Sequence, residues 1–169
     1  MKKILFALLV ISGLVACQSK TENTANTVPA DAFGYTLHNS ENINTVKKAI
    51  DAGTISDTAV FVKIYSDTAI IYDNMTKQTI YENMKMVSLL KSKGITLKLE
   101  KINDIWETIS MKPDSRAFSD YVNSYFDASF IKGDQKITTR VNAVFALKDG
   151  KIVREWDTYD SAPLVELLK

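Results

Sequence analysis

Val144-Phe145-Ala146-Leu147-Lys148-Asp149-Gly150-Lys151-Ile152-Val153-Arg154-Glu155-Trp156-Asp157-Thr158-Tyr159-Asp160 is the passage on which the fold turns. An apolar run enters Asp149-Gly150, and a run rich in acids and aromatics leaves it. Asp-Gly between two β-prone runs predicts a tight hairpin, because such a turn needs positive φ at its central positions. The entering strand reads from Ile137 to Leu147 and the returning one from Lys151 to Tyr159. Upstream, Lys132-Gly133-Asp134-Gln135 turns the chain out of another long strand, Ser119 to Ile131. Lys112-Pro113-Asp114-Ser115 is turn chemistry once more. Before it, Ile95, Leu97 and Leu99 alternate with Thr96, Lys98 and Glu100 in a strand reaching Met111. That alternation shifts at Asn103-Asp104, which predicts a β-bulge.

Ahead of Gly94 the apolar period is helical. Ile43, Val46, Ala49 and Ile50 form one stripe behind Ser40, a capping residue, with Gly53 as the expected stop. Asp57 is placed to cap a second helix carrying Val60, Phe61 and Ile64. Ala69 to Tyr72 is a short β-rich run ended by Asp73-Asn74. Thr79 to Lys93 predicts a third helix, closed by Gly94, and Pro163 opens a last helical turn. Helices followed by long antiparallel strands predict an α+β domain.

The chain has 169 residues, 46% of them hydrophobic and 24% charged, enough for one core. Lysine plus arginine number 21 against 20 acids, so no basic excess points to nucleic acid. One Cys and one His leave no intrachain disulfide and no histidine or thiolate metal site, and no cofactor motif is present. The start reads differently from the rest. Lys2-Lys3 precede an apolar run from Ile4 to Ile11 and then Leu14-Val15-Ala16-Cys17. That is the layout of a secretory signal, too short to stay as a membrane span. Leu-Val-Ala-Cys resembles the lipobox of bacterial lipoproteins, which implies cleavage before Cys17 and acylation of it. Gln18-Ser19, with no Asp after the Cys, leans toward the outer membrane of a Gram-negative envelope. The expected organisation is a signal peptide over 1–16, a lipidated Cys and flexible tether over 17–37, and a folded domain over 38–169. The polar tether spans roughly 20 Å on average.

Two passages carry a family resemblance. Ile64-Tyr65-Ser66-Asp67-Thr68-Ala69-Ile70-Ile71-Tyr72-Asp73 resembles the "helix, Tyr, Asp, short strand" passage of the nuclear-transport-factor-2-like (NTF2-like) superfamily. The closing hairpin is similar to that of the same superfamily, in its SnoaL-like (polyketide-cyclase-like) branch. The resemblance implies a cystatin-like α+β roll: a cone-shaped, curved antiparallel sheet with three N-terminal helices closing its wide end over an apolar pocket. Tyr121, Asn123, Tyr125, Asp127 and Ser129 share one strand face, and Val153, Glu155, Asp157 and Tyr159 share another. If these polar faces line the cone, Asp127 and Asp157 meet there beside Tyr125 and Tyr159. The resemblance matches Asp73 to the general base of ketosteroid isomerase, and Asp157 and Asp127 to the two carboxylates of limonene epoxide hydrolase. Tyr125 stands where that hydrolase has an arginine.

The catalytic candidates are therefore Asp73, Asp127 and Asp157, and the ligand-contacting candidates are Tyr125, Tyr159 and Trp156. A carboxylate in an apolar cone is desolvated and its pKa rises, and two together are driven apart into an acid and a base. The expected function is binding of a small, largely apolar molecule by a membrane-anchored envelope lipoprotein. One alternative is an acid–base enzyme of isomerase, dehydratase or hydrolase type, working without metal or cofactor. The other is a protein-interaction module using the outer sheet face, where proteins of this kind often form homodimers.

Overall fold

In the computed structural model, residues 34–55, 57–111 and 120–168 are described. The signal, Cys17, most of the tether and the turn at Lys112-Pro113-Asp114-Ser115 lie outside them. Among the described residues no helix is long and apolar enough to cross a membrane.

The N-terminal half forms from well-capped helices. Ser40 Oγ accepts from the Ile43 N–H at 3.0 Å and opens α1, Glu41–Ile55. Asp57 Oδ1 accepts from the Val60 N–H at 3.1 Å and opens α2, Thr58–Ile64. Thr79 and Glu82 form a reciprocal capping box at the start of the third helix, Ile80–Ser92. Gly53 does not stop the first helix as expected. It lies within the last turn, two residues before the end, and its φ is not positive.

Among the described residues, seven strands make one sheet. In chain order they are β1 (Gly34–Leu37), β2 (Tyr65–Asp73), β3 (Thr76–Thr79), β4 (Thr96–Ser110), β5 (Asp120–Lys132), β6 (Gln135–Lys148) and β7 (Lys151–Thr158). The helix Ile80–Ser92 is α3, and α4 covers Ala162–Leu168. The spatial order is β1-β4-β5-β6-β7-β2-β3. Asp149 and Gly150 take φ 53° and 73°, as the hairpin chemistry demands. The β4–β5 register slips between Ile102 and Asp104, where the bulge was expected, and again between Leu99 and Lys101.

Three expectations are corrected. The sheet is not wholly antiparallel, because β2 joins β7 in parallel after β3, α3 and the three long strands β4, β5 and β6 have been threaded between them. β2 begins at Tyr65 rather than Ala69, with a register break between Tyr65 and Ile70 taking up the polar Ser66-Asp67. The folded part begins no later than Gly34 rather than at His38, since β1 pairs with the end of β4. A Cβ at Gly34 would sit 2.0 Å from the Ile109 carbonyl oxygen, so glycine permits this pairing.

The core lies between the helices and one face of this curved sheet. Ile43, Val46 and Ala49 of α1 pack with Val122, Phe145 and Ile152 of the long strands. Each such side chain, fully buried, contributes roughly 1.5–3 kcal/mol of transfer free energy. A smaller cluster, Leu90, Ile95, Phe130 and Leu167, joins α3 and α4 at one end.

Candidate functional site

The site is built by β7 and its neighbour β2. Leu147 pairs with Ile152, but Ala146 pairs with Arg154, so Val153 is an extra residue in β7. The bulge shifts the alternation by one. Glu155 and Asp157 thereby point to the same side as fully buried Ile152, opposite the inward Phe145 and Ala143. On the other flank the parallel register sets Asp73 beside Asp157 and Ile71 beside Glu155. Asn74 closes the corner in the left-handed region at φ 52°, which Asn tolerates better than most residues. Its N–H donates to the Asp157 carbonyl at 2.9 Å, and its Oδ1 accepts from the Tyr159 N–H at 3.1 Å. One residue thus ties together the ends of both acid-bearing strands.

These acids form part of the wall of a cavity of about 240 Å³ between sheet and helices. Most of the lining is apolar: Ile50, Phe61, Leu90, Leu97, Phe126 and Phe130 are representative. Asp73, Glu155, Asp157, Tyr65 and Tyr159 supply the polar patch. No Lys, Arg or His belongs to the described lining. Met86 and Leu168 line the cavity while remaining exposed, and so mark its mouth.

The electrostatics follow from that enclosure. Tyr65, stacked on Phe61 at 4.2 Å and fully buried, donates its hydroxyl to Glu155 Oε2 at 2.5 Å. Desolvation raises Glu155 to about 7 against the help of hydrogen bonds from Tyr65 and Asp157, and the Asp73 charge adds to the rise. Asp157 is pushed well above the usual carboxylate range, first by desolvation and then by the charge of Glu155. Asp157 Oδ1 is closed to solvent with no fixed hydrogen-bond donor among the described residues. A proton shared between the two carboxyls is what can satisfy it. Tyr159, raised by desolvation and by Asp73, keeps its proton and hydrogen-bonds the Asp73 side chain.

Of the six predicted site residues, Asp73, Asp157 and Tyr159 come together in the cavity, and Asp127, Tyr125 and Trp156 do not. On β5 the inward set is Val122, Ser124, Phe126, Ala128 and Phe130, all buried. Tyr125 and Asp127 consequently face the outer side. Tyr125 is exposed and stacks on Trp106 at 5.8 Å. Asp127 accepts a bidentate pair of hydrogen bonds from Arg140, at 2.9 and 3.2 Å, which hold its carboxyl below the usual range. Trp156 alternates with Glu155 and Asp157, so it lies on the outer face, stacked with Tyr72 at 6.1 Å and under Arg154 at 5.6 Å. Glu155 and Tyr65 are the functional residues missing from the predicted set. Glu155 was visible on the Asp157–Tyr159 alternation. Nothing in the sequence marked Tyr65 as the partner of a residue 90 positions away.

No family model and no curated protein matches this chain. Solved structures do. An LEH-like epoxide hydrolase of M. tuberculosis superposes with a TM-score of 0.56 at 16% identity, covering 76% of this chain and 89% of that one. A Xanthomonas campestris protein assigned to the polyketide cyclases gives 0.59 at 11% identity, over 76% and 97%. IdmH of Streptomyces antibioticus, likewise assigned to the polyketide cyclases, gives 0.55 at 12% identity, over 76% and 99%. These likenesses establish the NTF2-like α+β fold that the hairpin and the helix–Tyr–Asp passage led us to expect.

Proposed function

We propose that the cone encloses a small, largely apolar molecule and that the Glu155–Asp157 pair exchanges a proton with it. The observation that carries this reading is the placing of two adjacent inward carboxyls on an otherwise greasy wall, with no cation among its described lining. Such a pair holds one proton near neutral pH, so one member can accept and the other donate. Asp73 and the two tyrosines orient the pair, Tyr65 through Glu155 and Tyr159 through Asp73. The reaction class this suits is isomerisation, dehydration or water addition, and an epoxide hydrolase is among the proteins of similar fold. In the same reading, acylated Cys17 holds the domain at the outer membrane of the envelope.

The test of enclosure is a neutral fluorescent probe, N-phenyl-1-naphthylamine, with wild type and Ala128→Phe. Ala128 is buried in the cavity wall, and a phenyl ring there fills the space. Probe emission should rise with wild type and stay low with the filled variant. Equal signals from both would overturn the reading. The anchor is tested by labelling cells with an alkynyl fatty acid, which should mark wild type and not Cys17→Ser.

A further inference from the structure

The mouth of the cavity is apolar outside as well as inside. Met86 of α3 and Leu168 of α4 belong to the lining and are exposed. One helical turn from each stand Leu89 and Val165, 49% and 52% exposed and outside the described lining. Ile55, the last residue of α1, follows Thr54 of the lining and is 70% exposed. Three helices thus bring five large apolar side chains to one rim. Single exposed apolar residues are ordinary, but a group of them around an opening marks a contact surface. The exposed charges near them in sequence are of both signs, Lys85 and Lys91 against Asp51 and Glu166. The rim therefore offers apolar contact rather than a net charge.

The chain enters the domain at the other end of α1. Leu37, the last residue of β1, pairs with Glu107, and Glu107 Oε1 accepts from the Asn42 side chain in the first turn of α1 at 2.5 Å. From there α1 runs 15 residues to Thr54 and Ile55 at the mouth. At 1.5 Å per residue that is about 22 Å.

We propose that this rim docks on a lipid bilayer, the one in which acylated Cys17 is seated, so that the cavity opens against the membrane. The proposal rests on the anchoring reading above and adds to it an orientation and a contact surface. Residues 18–33 join Cys17 to Gly34. A polar chain of that length spans roughly 20 Å on average. That reach matches the length of α1, which separates the chain's point of entry from the mouth. A linker whose mean reach matches the gap gives the second contact its highest effective concentration. The contact itself is then the settling of rim side chains among headgroups and upper acyl carbons, as on an interfacial helix. An apolar ligand passes between bilayer and cavity without crossing water.

The experiment uses the full lipidated protein, reconstituted in vesicles of phosphatidylethanolamine and phosphatidylglycerol. A nitrobenzoxadiazole label is attached at Leu89→Cys on the rim or, as control, at Arg140→Cys on the outer sheet face. Acylation leaves no thiol on Cys17 to compete for the label. The quencher is a lipid spin-labelled near the top of one acyl chain. Emission from the rim label should fall by about half, since interfacial apolar groups lie roughly 5–10 Å into the headgroup and acyl boundary. Emission from the control should hardly change, and neither result should depend on salt. Adding Val165→Asp, an exposed change outside the cavity lining, should restore the rim emission. No quenching at the rim, equal quenching at both labels, or quenching that survives Val165→Asp would overturn the docking and leave the anchor in place. If the alkynyl fatty acid does not mark wild type, anchor and docking fall together. Enclosure of the neutral probe is decided separately by Ala128→Phe.

Discussion

Asp127 and Asp157 belong to strands of one sheet but meet opposite conditions. Asp127, on the outer face of β5, is clasped by Arg140 and held below the usual carboxylate range. Asp157, on the inner face of β7, has no cation among the described lining of its cavity and is driven well above that range. Glu100 and Glu155 repeat the contrast. Glu100 lies between Lys98 and Lys136 and drops to about 2, while Glu155 rises to about 7. Where water and long cationic side chains are available, an acid is matched at little consequence to stability. Where they are excluded, the acid keeps its proton in place of a matched charge, and this is the face to which the proposed site belongs.

The largest expected difference between the two faces is in packing. Phe145 and Val144 are neighbours on β6, but Phe145 is 1% exposed and Val144 only half-buried. Phe145→Ala should lower the unfolding free energy by about 3–5 kcal/mol. Val144→Ala should cost under about 1 kcal/mol. Urea denaturation of both variants measures this, and comparable losses would mean that the outer face is also covered.

The next effect is a pH dependence of stability that belongs to the inner face. In the unfolded chain Glu155 titrates near 4.5, and in the fold near 7. Between those values the folded protein holds more protons than the unfolded chain, so stability falls as pH rises. The contribution is fully present below about pH 4.5 and is lost through about pH 7. Over that window the loss is roughly 3 kcal/mol, with Asp157 acting in the same direction. Glu155→Gln keeps the acceptor for Tyr65 and provides a donor for Asp157, so it should flatten the slope and raise the melting temperature at pH 7.5. A slope unchanged in the variant would place the titrating group elsewhere. Glu100 and Asp127 act with the opposite sign, because their depressed pKa values stabilise the fold above the normal carboxylate range. That contribution disappears only on strong acidification, for Glu100 through about pH 2.

The corner at Asn74 should have a smaller effect. Asn74→Ala removes the acceptor for the Tyr159 N–H and puts a side chain with no αL preference at φ 52°. A loss of about 1–2 kcal/mol is expected. Asn74→Gly should recover the backbone part while still lacking the side-chain bond. If Ala and Gly variants were equally destabilised, the left-handed conformation would not matter there.

Much of the fold was legible because short-range signals agreed with one another. Asp149-Gly150, the caps at Ser40, Asp57 and Thr79, and the β4 bulge each act within a few residues of their effect. The parallel joining of β2 to β7 was not legible, since it depends on contacts roughly 80 residues apart. The site was half-legible for a related reason. Alternation shows which residues share a face, but not which face the helices cover. On β5 the condition that the polar set lines the cone is not met, since Phe126, Ala128 and Phe130 occupy the cone and leave Tyr125 and Asp127 outside. On β7 and just past it, Asp157 and Tyr159 do line the cavity, and the bulge at Val153 reconciles this with buried Ile152. Trp156 followed its strand to the outer face, where it found Tyr72.

The smallest effect, and the sharpest control on the contrast, comes from Arg140→Ala. It leaves Asp127 without its bidentate partner on a surface where water can replace it. The melting temperature at pH 7 should barely move, and the Asp127 carboxyl, followed by carbon-detected NMR, should titrate at higher pH than in wild type. Probe binding in the cavity should be unchanged, because no atom of the Asp127–Arg140 pair lines it. The same carboxyl-to-amide exchange made at two sites completes the comparison. Asp127→Asn should behave like wild type toward the probe and keep the fall of stability between about pH 4.5 and pH 7, whereas Asp157→Asn should reduce that fall. Were Asp127→Asn to reduce it as strongly, charge would be communicated through the sheet, and the inner face could not be treated as electrostatically separate from the outer one.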